Sequence, residues 1–201
     1  MPRIRAGRLS RIPAKTMRLP GLIQVFAVWL VVAGAGTALG GEFQIKWNIP
    51  EGGMIPKIYT CEGDNAPPTL EISGVPGAAK SLALIVDDPD APSGTFTHWL
   101  VWNITPEATE IAGAMDTGPG YVILSKGKWV PGGEDGTNDF GKRGYSGPCP
   151  PTGTHRYFFR LSALDTRLKL NAGAARKEVD AAMQGHVIAT ATVMGRYAKT
   201  Q

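Results

Sequence analysis

Polar and apolar residues alternate along Phe43-Gln-Ile-Lys-Trp-Asn-Ile49, the period of two expected of a strand with one buried face. Ser81-Leu-Ala-Leu-Ile-Val86 is instead a continuous apolar run of strand length, which suits a central strand. Phe96 to Ile104 and Arg156 to Leu161 are rich in aromatic and β-branched residues, which pack well on a pleated surface. His186 to Val193 alternates again. Only one segment predicts a clear helix. Asn171 can cap it, Val179, Ala182 and Met183 form a stripe at i, i+3, i+4, and Gly185 ends it. The stretch from Ala112 to Tyr145 is Gly-rich and weakly patterned, and reads as a long loop. Many short strands and one late helix predict a mainly β fold: an antiparallel β-sandwich with one C-terminal α-helix and short peripheral helices.

The chain has 201 residues, enough for one domain and a further segment, and its 26 Gly and 16 Pro carry no period. The further segment is at the front. A basic stretch ends at Arg18, an apolar run follows, and small residues from Gly34 to Gly40 close it. This predicts a signal peptide over residues 1–40, cut near Gly40/Gly41, with a domain over 41–201 that is exported to the periplasm or secreted. An uncleaved anchor over Leu22–Leu39 is the alternative, and Met17 is an alternative start. After cleavage no stable membrane span is expected.

Charge follows the same division. Of 21 Lys/Arg, six lie in residues 1–40, which hold no acid, so the remaining 15 face all 17 Asp/Glu. The domain is slightly acidic and lacks the basic footprint of a nucleic-acid binder. Its two cysteines, Cys61 and Cys149, are a natural disulfide pair in an oxidising compartment, with two buried free thiols as the alternative.

Three segments carry chemistry. Asp87-Asp88-Pro89-Asp90-Ala91-Pro92 follows directly on the apolar run, and carboxylates this close repel unless donors or cations compensate them. Thr97-His98-Trp99 puts a histidine in an apolar strand, where its ring needs a partner; Asp88 and Asp90 are the candidates. Tyr145 to Tyr157 holds a proline-stiffened loop, Gly147-Pro-Cys-Pro-Pro151, followed by His155 and Arg156. Arg156 is expected to pair one of the aspartates. His186 is expected to be structural.

Asp88-Pro-Asp-Ala-Pro92, Thr97-His-Trp99 and Gly147 to Tyr157 resemble the signature blocks of the phosphatidylethanolamine-binding protein family, in its bacterial Raf-kinase-inhibitor-like branch. The resemblance extends through Tyr59–Gly63, Asn138–Gly141, Ala163–Asp165 and Met183–Val187. It implies two antiparallel sheets, a C-terminal helix, and a surface pocket for small anions or phospholipid head groups. By position, the pocket residues it implies are Asp88, His98, Gly147, Pro148 and His155, with Asp90, Pro92 and Tyr157 close by. The expected mechanism has His98 and His155 protonated, with Asp88 orienting both and raising their pKa. No catalytic residue, metal or cofactor is expected. A hydrolase-like use of Asp88, His98 and His155 is the alternative, with Ser93 and Ser146 as nucleophiles by proximity only. Zinc binding by the two His and two Asp ranks lower, since no metal-ligand spacing occurs. Regulation of a protease or kinase partner, and a homodimer, are left open. Two segments depart from the branch pattern, Ala66–Ile72 and Gly118–Asp135, and are expected to reshape the pocket rim.

Overall fold

The computed structural model describes residues 41–113 and 121–200. The leader expected over residues 1–40 lies outside the described residues. Ten strands form two five-stranded antiparallel sheets. The first holds β1 (Gln44–Lys46), β2 (Leu70–Ser73), β5 (Ala108–Gly113), β6 (Tyr121–Ser125) and β7 (Lys128–Pro131), in that order. The second runs β10 (Val187–Tyr197), β9 (His155–Leu164), β3 (Ser81–Asp88), β4 (Phe96–Ile104), β8 (Glu134–Asp135). A 3-10 turn at Lys57–Tyr59 precedes β2, and the helix α1 (Arg176–Met183) joins β9 to β10.

The apolar run in β3 has a packing cause. Leu82, Leu84 and Val86 enter the core between the sheets, while Ala83 and Ile85 belong to a second core on the other face. There Val179 and Met183 of α1 pack with Leu100, Trp102, Leu164 and Leu168. A strand buried on both faces has no polar positions to alternate, so its sequence reads as one apolar block. Every β3 residue is buried, down to the two aspartates at its end.

Two expectations fail. Asn171 does not cap α1. Gly173 lies between at φ 91 and breaks the helical path, so the helix starts after Ala175, whose N–H donates to Oε2 of Glu178 at 2.8 Å. The stretch from Ala112 to Tyr145 is not a loop throughout, since it holds the end of β5 and all of β6, β7 and β8. Lys126 and Gly127, at φ 51 and 72, make the two-residue turn of the β6–β7 hairpin. The strands also differ in length: β1 is confined to three residues, while β9 and β10 run further than their patterns suggest. Among the described residues no helix is long and apolar enough to cross a membrane.

Candidate functional site

The site forms where β3 ends. Pairing with β4 runs Val86↔Trp99 and then Asp87↔Thr97, which leaves His98 as the extra residue of a β-bulge. Bulges re-aim side chains, and this one turns the imidazole away from the regular strand alternation. The backbone of His98 turns to a loop for its partner: its carbonyl accepts Ser146 N–H at 3.0 Å.

A cavity of about 220 Å³ opens here. Asp88, His98 and Ser93 supply its polar wall, and Ala91, Pro92, Phe96, Phe140, Cys149, Pro150 and Pro151 the apolar one. Phe96, Phe140 and His98 meet edge to face, with centroids 4.7–5.4 Å apart.

Asp88 is 3% exposed. Its Oδ2 accepts Nδ1–H of His155 at 2.7 Å and its Oδ1 accepts Asp90 N–H at 2.8 Å. His155, on the neighbouring β9, therefore stands behind Asp88 and is not itself part of the cavity lining. Tyr157 lies two residues on, fully buried, edge-on to His98 at 5.2 Å. Its hydroxyl has no hydrogen-bond partner among the described residues. Burial, reinforced by the charge of Asp88, pushes the phenol above its ordinary ionisation range.

The neighbouring carboxylates are turned elsewhere. Asp90 binds Arg156 through both oxygens, at 2.9 Å to Nε and 2.6 Å to Nη2, which lowers its pKa to about 2. Asp87 points to the opposite face from Asp88 and is clasped by Arg160 of β9 and Arg176 of α1. These three arginines compensate the acidic run, as the crowding of charge requires.

The partner of His98 is not an aspartate. Its Nδ1–H donates to the Ser146 carbonyl at 2.6 Å. Nor is the ring protonated as expected. Burial pushes its pKa below the ordinary 6.5, and the Ser146 carbonyl and Asp88 offset this only in part. The neutral ring thus keeps Nδ1–H and carries its lone pair on Nε2. A stability prediction follows. His98 is neutral in both states near pH 8. As pH falls through 6.5 the unfolded chain takes up a proton that the folded one refuses, so the domain loses stability toward lower pH. His98→Gln flattens that limb; urea midpoints at about pH 7.5 and pH 5 measure it, and equal slopes for both proteins would refute it.

Gly147 and Pro148 brace the rim from behind and do not line the cavity. Gly147 N–H donates to Oδ1 of Asn65 at 2.7 Å, and a Cβ on Gly147 would lie 2.2 Å from the Tyr59 carbonyl oxygen, so only glycine fits. The Pro148 carbonyl accepts Cys61 N–H at 3.1 Å, and the Cys61–Cys149 disulfide closes beside it. Neither Ala66–Ile72 nor the described part of Gly118–Asp135 contributes to the lining.

Several contributors escaped sequence reading. Phe96 and Phe140 form the aromatic side of the mouth, and Cys149 to Pro151 its wall. Asn138 is buried beneath them. Its amide donates to the Gly144 carbonyl and Ser146 Oγ, both at 3.0 Å, and its Oδ1 accepts Phe140 N–H and Lys142 N–H. It folds the segment that presents both Phe140 and the His98 acceptor. A buried-network asparagine looks like any loop asparagine in sequence; only its place beside an Asp-Phe-Gly turn marked it. His186 pairs with Asp165 at 2.7 Å on the exposed helix–strand junction.

Comparison with known proteins places this geometry. Residues 46–198 match the family model described as phosphatidylethanolamine-binding protein. A UPF0098 protein of Methanothermobacter thermautotrophicus is 51% identical over 145 residues, 72% of this chain and 91% of the relative. One from Pyrococcus horikoshii is 44% identical over 191 residues, 89% of this chain and 90% of the relative. Among solved structures, a phosphatidylethanolamine-binding protein homologue from Chlamydia trachomatis matches at TM-score 0.68 and 38% identity, over 79% of this chain and 98% of its own. YbcL of E. coli, described as a new member of the mammalian family, matches at TM-score 0.68 and 34% identity, over 79% and 99%.

Proposed function

Since the chain belongs to the phosphatidylethanolamine-binding protein family, we propose that the cavity beside Asp88 and His98 binds a small oxyanion, either free or as the phosphate of a phospholipid head group, and that the protein works by binding and not by turnover. The observation that carries this reading is the pairing of unlike groups in one small hollow. Asp88, fixed by His155, and the imidazole of His98 stand on one wall of the cavity, and the rings of Phe96 and Phe140 stand on the other.

The hydrolase reading draws on the Asp88–His155 pair, which has the form of a base and its orienting acid. Against it, the hydroxyl on the cavity wall, Ser93, makes no hydrogen bond to either histidine. Export and a regulatory action on a partner protein belong to the same proposal. The closed Cys61–Cys149 bridge supports an oxidising compartment.

Titration of ¹⁵N-labelled protein with phosphorylethanolamine tests the binding reading. Saturable shifts are expected at the amides of Asp88, Phe96, His98, Phe140 and Cys149. No shifts, or shifts confined to another face, would overturn it, and turnover on a panel of esters would favour the hydrolase.

A further inference from the structure

The helix α1 starts on a residue that cannot cap it. Ala175 holds the N-cap place with the extended backbone of a cap, φ −81 and ψ 164, but presents a methyl where Ser, Thr, Asp or Asn would present an oxygen. Glu178 N–H and Val179 N–H share the Ala175 carbonyl, and Lys177 N–H has no acceptor among the described residues.

A hollow of about 570 Å³ opens on this helix end, between Arg176, Lys177 and Asp180 on one side and Thr95, Thr97 and Asp139 on the other. It lies across β4 from the cavity beside Asp88 and shares no residue with it. Phe96 and His98 face that cavity, whereas Thr97 stands opposite Asp87 and leaves the sheet on the helix side with it. Asp139 and Phe140 divide in the same way, one to each hollow.

A second feature points into the new hollow. Thr97 is 2% exposed and lines it. Its N–H is spent on Oδ2 of Asp139 at 2.6 Å, while its hydroxyl has no partner among the described residues. The charges are equally incomplete. Arg176 is committed, to Asp180 at 2.8 Å and Asp87 at 3.3 Å. Lys177 and Asp139 make no ion pair among the described residues, although both line the same hollow. A simple anion would suit Lys177 and the positive helix end but would meet Asp139. A simple cation would suit Asp139 but would meet the other two. A small molecule that carries both charges suits all of them.

We infer that this hollow is a second binding site, and that it takes a free α-amino acid. The carboxylate accepts from Lys177, through its N–H and its ammonium, and from the Thr97 hydroxyl, replacing the oxygen that Ala175 lacks. The α-ammonium donates to Asp139. A residue within a peptide has lost both charges and a terminal residue one of them, so the free amino acid is the occupant.

Titration of ¹⁵N-labelled protein with L-alanine tests this. Saturable shifts are expected at the amides of Lys177, Thr97 and Asp139 and not at those of Asp88 and Cys149. Acetate and methylammonium, each carrying one of the two charges, are expected to bind at least about tenfold more weakly at the Lys177 amide, the worth of one charge-assisted hydrogen bond. Ala175→Asp supplies the missing cap from the chain itself, so it is expected to keep the fold in thermal melting and to weaken alanine at least about tenfold. Absence of a saturable shift at Lys177, a half-molecule that binds within about tenfold of alanine, or a folded Ala175→Asp that loses less than that would each overturn the inference. The head-group reading would stand in every case. Where Ala175→Asp does not fold, the wild-type ratios decide.

Discussion

Replacing Cys61 and Cys149 together with serine is expected to lower the stability of the domain by about 4 kcal/mol and to weaken ligand binding several-fold without abolishing it. The first figure comes from the chain. The bridge spans 88 residues, and releasing a loop of that length restores about 4–5 kcal/mol of conformational entropy to the unfolded state. The second comes from where the bridge sits. Cys149 is itself part of the cavity wall, with Pro150 and Pro151 next to it. Binding survives in part because the rim has other ties: Gly147 to Asn65, Pro148 to Cys61 through the backbone, and the Tyr145 hydroxyl to the Tyr59 carbonyl at 2.7 Å. Urea unfolding of the oxidised protein and the double variant measures the stability. A phosphorylethanolamine titration of both measures the binding. An unchanged urea midpoint would contradict the loop-entropy argument, and unchanged affinity would show that the rim needs no covalent tie.

Asn138→Ala is expected to cost about 4 kcal/mol and to disable the site as a whole. Two donors and an acceptor that serves two amides are lost, at about 1 kcal/mol for each bond, in a place where the abandoned groups stay buried. The damage reaches the cavity from two sides. Phe140 loses the bond that sets its backbone. The Ser146 carbonyl, which holds the His98 ring, loses its nearest support. Thermal melting reports the first effect. The ¹⁵N resonances of the His98 ring report the second, since a ring released from Ser146 no longer favours one tautomer. A variant that melts with the wild type and keeps the His98 ring signals would refute this account.

The contrast between these two sites explains what the sequence disclosed. The Cys pair stands out by count alone. The strands whose burial is regular were legible: β4 through its aromatic and β-branched run, and β3 through its unbroken apolar block. The β6–β7 hairpin was not, because its turn places Lys126, a side chain rarely found at positive φ, before Gly127. Asp88 and His98 could be singled out because their residue types carry chemistry. The link between them could not be read. The acceptor for His98 is the carbonyl of Ser146, 48 residues away, and a backbone oxygen leaves no mark in sequence. For the same reason the protonated imidazole expected there was wrong: the burial that keeps His98 neutral is a property of the packed loop and not of the strand that carries it.

The two carboxylates at the tip of β3 sit on successive residues and look in opposite directions, one into the hollow and one toward the helix. A single-residue slide of this strand would move one into the place of the other and leave its own place without a carboxylate. Asp87 would stand against the imidazole of His155, while Arg160 and Arg176 would be left holding nothing. Ligand recognition and attachment of the helix therefore share one ruler, and a one-residue insertion or deletion in the strand upstream leaves at most one of them in place.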